Sequence, residues 1–224
     1  MKSVLFALLL SLGGSWAQRQ LAYIYDLPNQ SNLGAWSGRT ESCSDFRYCD
    51  TYITDNMISS TRVTGIWIFY SEYFYNYQNE GRVEWVYGDG YMHNLNNVNN
   101  QVSSLRFVGN QNNWKANSIT LFQFYFFLGL AYYDWTDNTQ VPSGMSTVGS
   151  LIITGQNYWT VYTSTNFSGN RACIRVQPGQ YVGFAPNLDE YGIFTVRSYR
   201  RGCYADKKIT LNSDQHGFAV KTWE

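Results

Sequence analysis

The sequence predicts an all-β chain of two Greek-key β-sandwich domains, each built from two motifs of about 45 residues. Three observations carry that reading. First, four phrases recur: Ser60-Thr61-Arg62-Val63-Thr64-Gly65, Ser104-Leu105-Arg106-Phe107-Val108-Gly109, Ser150-Leu151-Ile152-Ile153-Thr154-Gly155 and Thr195-Val196-Arg197-Ser198-Tyr199-Arg200. They lie about 45 residues apart and tile the chain from Leu21 to Arg200 as four units. Second, short segments rich in β-branched and aromatic residues, such as Ile66 to Tyr70, Arg82 to Val86, Ile119 to Phe122, Tyr158 to Tyr162 and Ala172 to Val176, are separated by clusters of Gly, Asn, Asp and Ser, the pattern of short antiparallel strands. Third, no window holds a helical period, and no Gly-His or Trp-Asp recurs to close the blades of a four-bladed propeller, so paired sandwiches are the preferred architecture.

Ahead of the first unit, Lys2 precedes the apolar run Val4 to Leu12 and then small residues ending in Ser15, Trp16 and Ala17. This is the layout of a secretory signal over residues 1–17, with the mature chain starting at Gln18. The run is shorter than the roughly 20 residues a membrane span needs, and so is the apolar stretch Ile119 to Tyr133, so no transmembrane segment is expected. The chain balances 16 basic against 16 acidic side chains, which gives no electrostatic basis for nucleic acid or anionic lipid. Its 44% hydrophobic and 18% aromatic content argues for a buried core and against disorder.

An oxidising compartment lets the four cysteines pair. Cys43 and Cys49 are spaced as a short loop staple, and Cys173 with Cys203 closes a loop of about 30 residues, so these two local pairings are preferred among the three possible. A zinc site lacks the paired short spacings and neighbouring His it would need. Asn29-Gln30-Ser31 and Asn166-Phe167-Ser168 are possible glycan acceptors.

Two units carry a sharper pattern: an aromatic residue, four others, a second aromatic, one residue and a Gly. Tyr162, Phe167 and Gly169 match it, as do Phe122, Phe127 and Gly129. A Gly at that place allows a backbone geometry that a Cβ would strain, and the two rings supply apolar packing surface. On these residues the chain resembles the βγ-crystallin superfamily from about Leu21 to Cys203. The resemblance implies a hydroxyl late in each unit that hydrogen-bonds across the hairpin, at Ser60, Ser104, Ser150 and Thr195. In unit two Tyr70 and Tyr75 keep the ring spacing but Tyr77 stands where the Gly belongs. In unit one Tyr25 leads to Leu33 and Gly34 only after an insertion, so both hairpins are expected to be distorted. The implied organisation is a first domain over residues 18–112, a second over 113–203 and a C-terminal extension over 204–224.

The same resemblance supplies a calcium signature: Asn or Asp twice, any two residues, Ser or Thr, then Ser. Asp55-Asn56-Met57-Ile58-Ser59-Ser60 fits it, and Asn99-Asn100-Gln101-Val102-Ser103-Ser104 fits it again in the same repeat register. Calcium takes six to eight oxygens from carboxylate, amide, carbonyl and water, so the residue types suit it. The implied ligands are Asp55, Asn56, Met57 and Ser59, with Asn99, Asn100, Gln101 and Ser103; Met57 and Gln101 would act through their backbone carbonyls. The ordinary alternative is that these are turn formers and strand caps. The second domain lacks the signature, with Met145, Ser146, Gly149 and Glu190, Tyr191, Phe194 at the corresponding places, so two ions are expected, both in the first domain.

An enzyme is not expected: His93 and His216 are the only histidines and neither lies in a nucleophile motif; a loop or tail place is expected for each. Gly88-Asp89-Gly90 reads as a hairpin turn without the helix a phosphate loop requires. The tail from Tyr204 carries Ile209, Leu211, Phe218, Val220 and Trp223, enough to dock as a strand or to serve as an interaction segment. The expected role is a stable extracellular matrix, coat or secretion component. The alternative is a carbohydrate- or protein-binding module, including a toxin or inhibitor on the same fold. Burial of Trp36, Trp85, Trp114 and Trp135 favours the first, and a solvent-facing cluster the second.

Overall fold

The computed structural model describes residues 17–214 and 216–222. The signal-like run and Trp223 lie outside the described residues.

In the first half β1 (Leu21–Tyr25), β2 (Trp36–Arg39), β3 (Ser60–Tyr70), β4 (Gly81–Asn94) and β5 (Ser104–Phe107) form one sheet that folds over on itself. The long β3 and β4 pair antiparallel throughout, with a bulge between Val63 and Thr64 that lets the ladder turn. The first half of β3 carries β1, and β1 carries β2; its second half carries β5. Cys43 bridges to Leu105, so the third strand position of unit one joins the layer of unit two, while the end of β4 joins the layer of unit one. That exchange makes the Greek key. Between the layers lie Ile24, Phe46, Ile58, Val63, Trp67, Phe69, Val86 and Leu105.

The second half repeats the plan with separate strands. β6 (Ser118–Phe122), β7 (Ala131–Asp134), β8 (Ser150–Thr154) and β11 (Val182–Ala185) form one layer in the order β11-β8-β6-β7. β9 (Trp159–Tyr162), β10 (Arg171–Val176) and β12 (Ser198–Arg201) form the other. Its core centres on Ile119, Leu121, Leu151, Ile153, Trp159, Val161, Ile174 and Tyr199. A third apolar cluster joins the two sandwiches: Ile66, Ile68, Tyr70 and Trp85 from the first pack on Phe122, Phe127, Ile152 and Phe184 from the second, with Trp85 and Phe127 rings edge to face at 5.0 Å.

The tail supplies a strand to each sandwich. β13 (Lys208–Leu211) pairs parallel with β10, and β14 (His216–Lys221) pairs antiparallel with β4, covering two edges that would otherwise present unpaired backbone. Leu211 is buried in the second core, whereas Phe218 and Val220 remain exposed.

Four expectations are corrected. All four hairpins close, and the expected distortion of the first two is a lengthening. The residue after the leading ring bonds to the residue after the closing Gly in every unit: Asp26 N–H to Ala35 O, Ser71 to Arg82, Gln123 to Leu130 and Thr163 to Asn170. Thus Gly81, with φ 93° and an added Cβ falling 2.7 Å from Ser71 Oγ, takes the role expected at Tyr77. In unit one Gln30, at φ 53°, takes the second-ring place and donates its N–H to Ser60 Oγ, while Leu33 lies in solvent. Second, the hydroxyl of unit four is Ser198, not Thr195. Ser198 Oγ donates to Ser164 O at 2.6 Å and accepts from Phe167 N–H at 3.1 Å, as Ser60, Ser104 and Ser150 do in their units. Third, Gly88-Asp89-Gly90 is no turn: it lies within β4, opposite Thr64 and Gly65. Fourth, His93 lies within β4, not in a loop.

Candidate metal centre

The two signature loops precede β3 and β5, and the Greek-key exchange brings them side by side. Asn56 N–H donates to Val102 O at 3.1 Å and Asn100 N–H donates to Ile58 O at 2.9 Å, so each loop's second residue holds the other's fourth. Asn56 and Asn100 have φ of 62° and 53°, the left-handed conformation that Asn tolerates best after Gly. Ser59 and Ser103 are buried, and their N–H groups donate to Tyr25 O and Tyr70 O, which pins each loop to the leading ring of its own hairpin.

The side chains complete one crossing. Ser59 Oγ donates to Asn100 Oδ1 at 2.9 Å, linking the first loop's hydroxyl to the second loop's amide. The reverse pair, Ser103 with Asn56, is not made among the described residues; Asn56 Nδ2 donates to Asp55 Oδ2 at 3.2 Å. Asp55 Oδ2 also accepts from the Tyr73 hydroxyl at 2.6 Å, while Asp55 Oδ1 is buried with no hydrogen-bond partner. A buried carboxylate oxygen without a donor is costly unless a cation meets it. Met57 Sδ accepts from Thr54 Oγ1 at 2.9 Å, and among the described residues nothing donates to the Met57 or Gln101 carbonyl. Asn99 and Gln101 sit exposed at the rim.

The described residues hold no cluster of three His, Cys, Asp or Glu. The donors are one carboxylate, amides, hydroxyls and carbonyls, a hard-oxygen set suited to calcium and unsuited to zinc. The residues present therefore fit the ion that the signature implies.

In the second sandwich the corresponding positions are set by the same backbone bond. Gly149 N–H donates to Phe122 O and Arg197 N–H to Tyr162 O, so Gly149 and Arg197 stand where Ser59 and Ser103 stand. The fourth unit's loop is thus Ile193 to Ser198, and Glu190 and Tyr191 are not at ligand places. A Cβ at Gly149 would fall 2.6 Å from the backbone of Phe124 and Tyr125. Arg197 Nη1 donates to Ser146 O at 3.2 Å, a guanidinium bridging the two loops.

Other candidates fall out as follows. The disulfides Cys43–Cys49 and Cys173–Cys203 are formed. Asn29 and Asn166 are exposed at left-handed positions of their hairpins. His93 Nε2 pairs with buried Glu84 at 2.7 Å and stacks on His216 at 4.8 Å. Glu84 also accepts from the backbone of Asn96, Asn97 and Val98, an arrangement that holds a loop. Trp85 and Trp114 are buried, whereas Trp36 and Trp135 are 47% and 57% exposed, so the tryptophans divide between the two roles weighed for them.

No protein-family model matches the sequence, and no curated protein matches it. Among solved structures, Geodin, a βγ-crystallin from Geodia cydonium, aligns over 82% of this chain and 99% of its own with a TM-score of 0.61 at 18% identity. The calcium complex of Protein S aligns over 82% of this chain and 99% of its own at 19% identity and a TM-score of 0.32. The fifth crystallin domain of the non-lens protein Absent in melanoma 1 covers 38% of this chain and 86% of its own at 25% identity and a TM-score of 0.32. The likeness to Geodin shows that this chain has the βγ-crystallin fold.

Proposed function

We propose that the chain is a secreted, non-enzymatic protein whose first sandwich, residues 18–112, binds two calcium ions as structural ligands. Residues 113–203 form a second sandwich with degenerate sites, and residues 204–224 an extension. The observation that carries this reading is the reciprocal pairing of two matching oxygen-rich loops, crossed by Ser59 and Asn100, with Asp55 Oδ1 buried and unpartnered. Asp55, Asn56, the Met57 carbonyl and Ser59, with Asn99, Asn100, the Gln101 carbonyl and Ser103, are the proposed ligands. Bound calcium would supply charge at Asp55 and tie the loops together.

Secretion is supported by the signal-like N-terminus and by two disulfides, which persist in oxidising compartments. Among the described residues no helix is long and apolar enough to cross a membrane. An extracellular matrix, coat or secretion component is the role that fits a ligand acting through stability. At extracellular-module affinities of about 0.1 to 1 mM, calcium at about 1 mM adds ~0.4 to 1.4 kcal/mol per site. Calorimetry of the full chain with calcium and with chelator tests this. Two ions and a raised Tm are expected, and Ser59→Ala should weaken binding; identical melting in both conditions ends the proposal.

A second reading rests on Trp36. Its half-exposed ring lies 6.1 Å from Tyr23 and 6.5 Å from Tyr25, with Tyr52 exposed nearby, a surface suited to stacking on a sugar or a protein partner. A glycan array with wild type and Trp36→Ala decides it: retained glycan binding in the variant removes the platform from consideration.

A further inference from the structure

Arg106, on β5, is a buried cation without an anion. Its side chain lies where the sandwiches meet and only 6% of the residue is exposed, yet no Asp or Glu pairs with it among the described residues. Nη2 donates to Gly129 O at 2.7 Å, and the guanidinium lies over the rings of Tyr75 at 3.8 Å and Tyr70 at 5.2 Å. Nε is buried with no partner. Burial also pushes its pKa below the ordinary arginine value, a direction that an adjacent anion would oppose.

The repeat supplies an internal control. Arg200 holds the same place in unit four, over Tyr162 and Phe167, and its Nε donates to the Tyr162 hydroxyl at 2.8 Å. In unit two the corresponding hydroxyl of Tyr70 is turned away, donating across the domain boundary to Phe127 O at 2.8 Å. Stacking on the hairpin rings is therefore common to both arginines, and of the two only Arg106 leaves its Nε unanswered.

The groove beside it holds a second unanswered group. A cavity of about 470 Å³ opens between the sandwiches, lined by Arg106, Tyr75, Phe107, Asn110, Thr120 and Tyr133 among others, with no acidic side chain in its wall. Thr120 is 3% exposed, and its Oγ1 is buried without a partner. Arg106 and Thr120, each with a buried polar atom that has no partner, thus both line one groove whose rings and aliphatic surface suit an organic body.

We infer that this interdomain groove is a binding site for a small organic carboxylate, held by Arg106 and Thr120 with its body against Tyr75, Phe107 and Tyr133. A carboxylate has two oxygens for two donors, and guanidinium and carboxylate match in planar geometry. The ligand would satisfy both buried groups and neutralise the charge. The site lies apart from the calcium loops, so it stands or falls independently of them.

The test is titration calorimetry of the full chain, in chelator and in calcium, with benzoate, glucuronate, acetate and inorganic sulfate. One-to-one saturable binding of benzoate or glucuronate is expected, at least about tenfold tighter than acetate or sulfate, and the tighter of the two tells whether the body is apolar or a sugar. Arg106→Met should abolish binding. Thr120→Val removes a hydroxyl that bonds to nothing in the protein, so the fold should be retained while affinity falls about tenfold. No saturable binding of either larger carboxylate, preference for sulfate, or unchanged affinity in Thr120→Val would each overturn the site.

Discussion

Replacing Ser198 by Ala isolates the register of the fourth unit. Ser198 is fully buried; its hydroxyl donates to Ser164 O at 2.6 Å and accepts from Phe167 N–H at 3.1 Å, fastening the folded hairpin to β12. The substitution removes both bonds and leaves the Phe167 N–H without an acceptor. With about 1 kcal/mol net per bond and more for an orphaned donor, the loss is about 2–3 kcal/mol, or roughly 30- to 150-fold in the folded-to-unfolded ratio. For a urea dependence of ~2 kcal/mol per molar, the midpoint of the second sandwich falls by about 1 M. Thr195→Ala is the matched control. Its hydroxyl donates only to the adjacent Phe194 carbonyl, so its change should stay within about 0.5 kcal/mol. Equilibrium urea unfolding followed by tryptophan fluorescence gives both numbers. A neutral Ser198→Ala, or a Thr195→Ala as costly, would refute the assignment and restore the even spacing read from sequence.

Two further outcomes follow from packing and charge. Leu211→Ala truncates a side chain only 1% exposed that carries β13 into the second core, and should cost about 2–5 kcal/mol; a midpoint unchanged in urea would mean that the tail is not anchored there. Burial pushes the Asp134 carboxyl up, but hydrogen bonds from the Tyr199 hydroxyl, Thr136 and the Trp135 N–H outweigh it and hold the carboxyl below the ordinary carboxylate range. A depressed acid stabilises the fold above its unfolded value of about 3.9 and loses that contribution as pH falls through its lower folded value, so stability should drop on acidification towards pH ~3. Asp134→Asn should flatten that drop between pH ~6 and ~3, and equal slopes in both proteins would exclude Asp134 as the cause.

What the sequence disclosed was local. The rings at Phe122 and Phe127, and at Tyr162 and Phe167, fix a hairpin within eight residues, the two cysteine pairs form as read, and the signature loops repeat in one register. The errors arose where insertions slide one local pattern past another. Extra residues before Gly81 hid that closing glycine, those before Gly34 put Leu33 in the second-ring place that Gln30 takes, and extra residues before Ser198 made Thr195-Val196-Arg197 look like the repeat. A better signal was present: Ser-x-Arg recurs at Ser60-Thr61-Arg62, Ser104-Leu105-Arg106 and Ser198-Tyr199-Arg200. Partners of β14 and the surroundings of Arg106 were illegible for another reason. They depend on contacts such as Gly217 with Trp85 and Arg106 with Gly129, which no spacing encodes.

The two sandwiches meet the same loop geometry with opposite chemistry. In the first, buried Ser59 and Ser103 occupy the fifth loop positions, and Asp55 keeps an unanswered oxygen, so the loops invite a hard cation. In the second, Gly149 offers no side chain and Arg197 reaches Ser146 O, so a covalently attached cation ties the loops and no carboxylate awaits an ion. Calcium dependence should therefore enter through the first half alone. It need not stay there, because Trp85 packs on Phe127 and Phe184 and the tail runs from β13 on the second sandwich to β14 on the first. Loss of the second sandwich would release the chain that covers the β4 edge, and loss of the first would expose the shared apolar cluster. On the proposed reading, stabilising the signature loops with calcium would protect the interface that contains Arg106, without any ligand passing between the two sites.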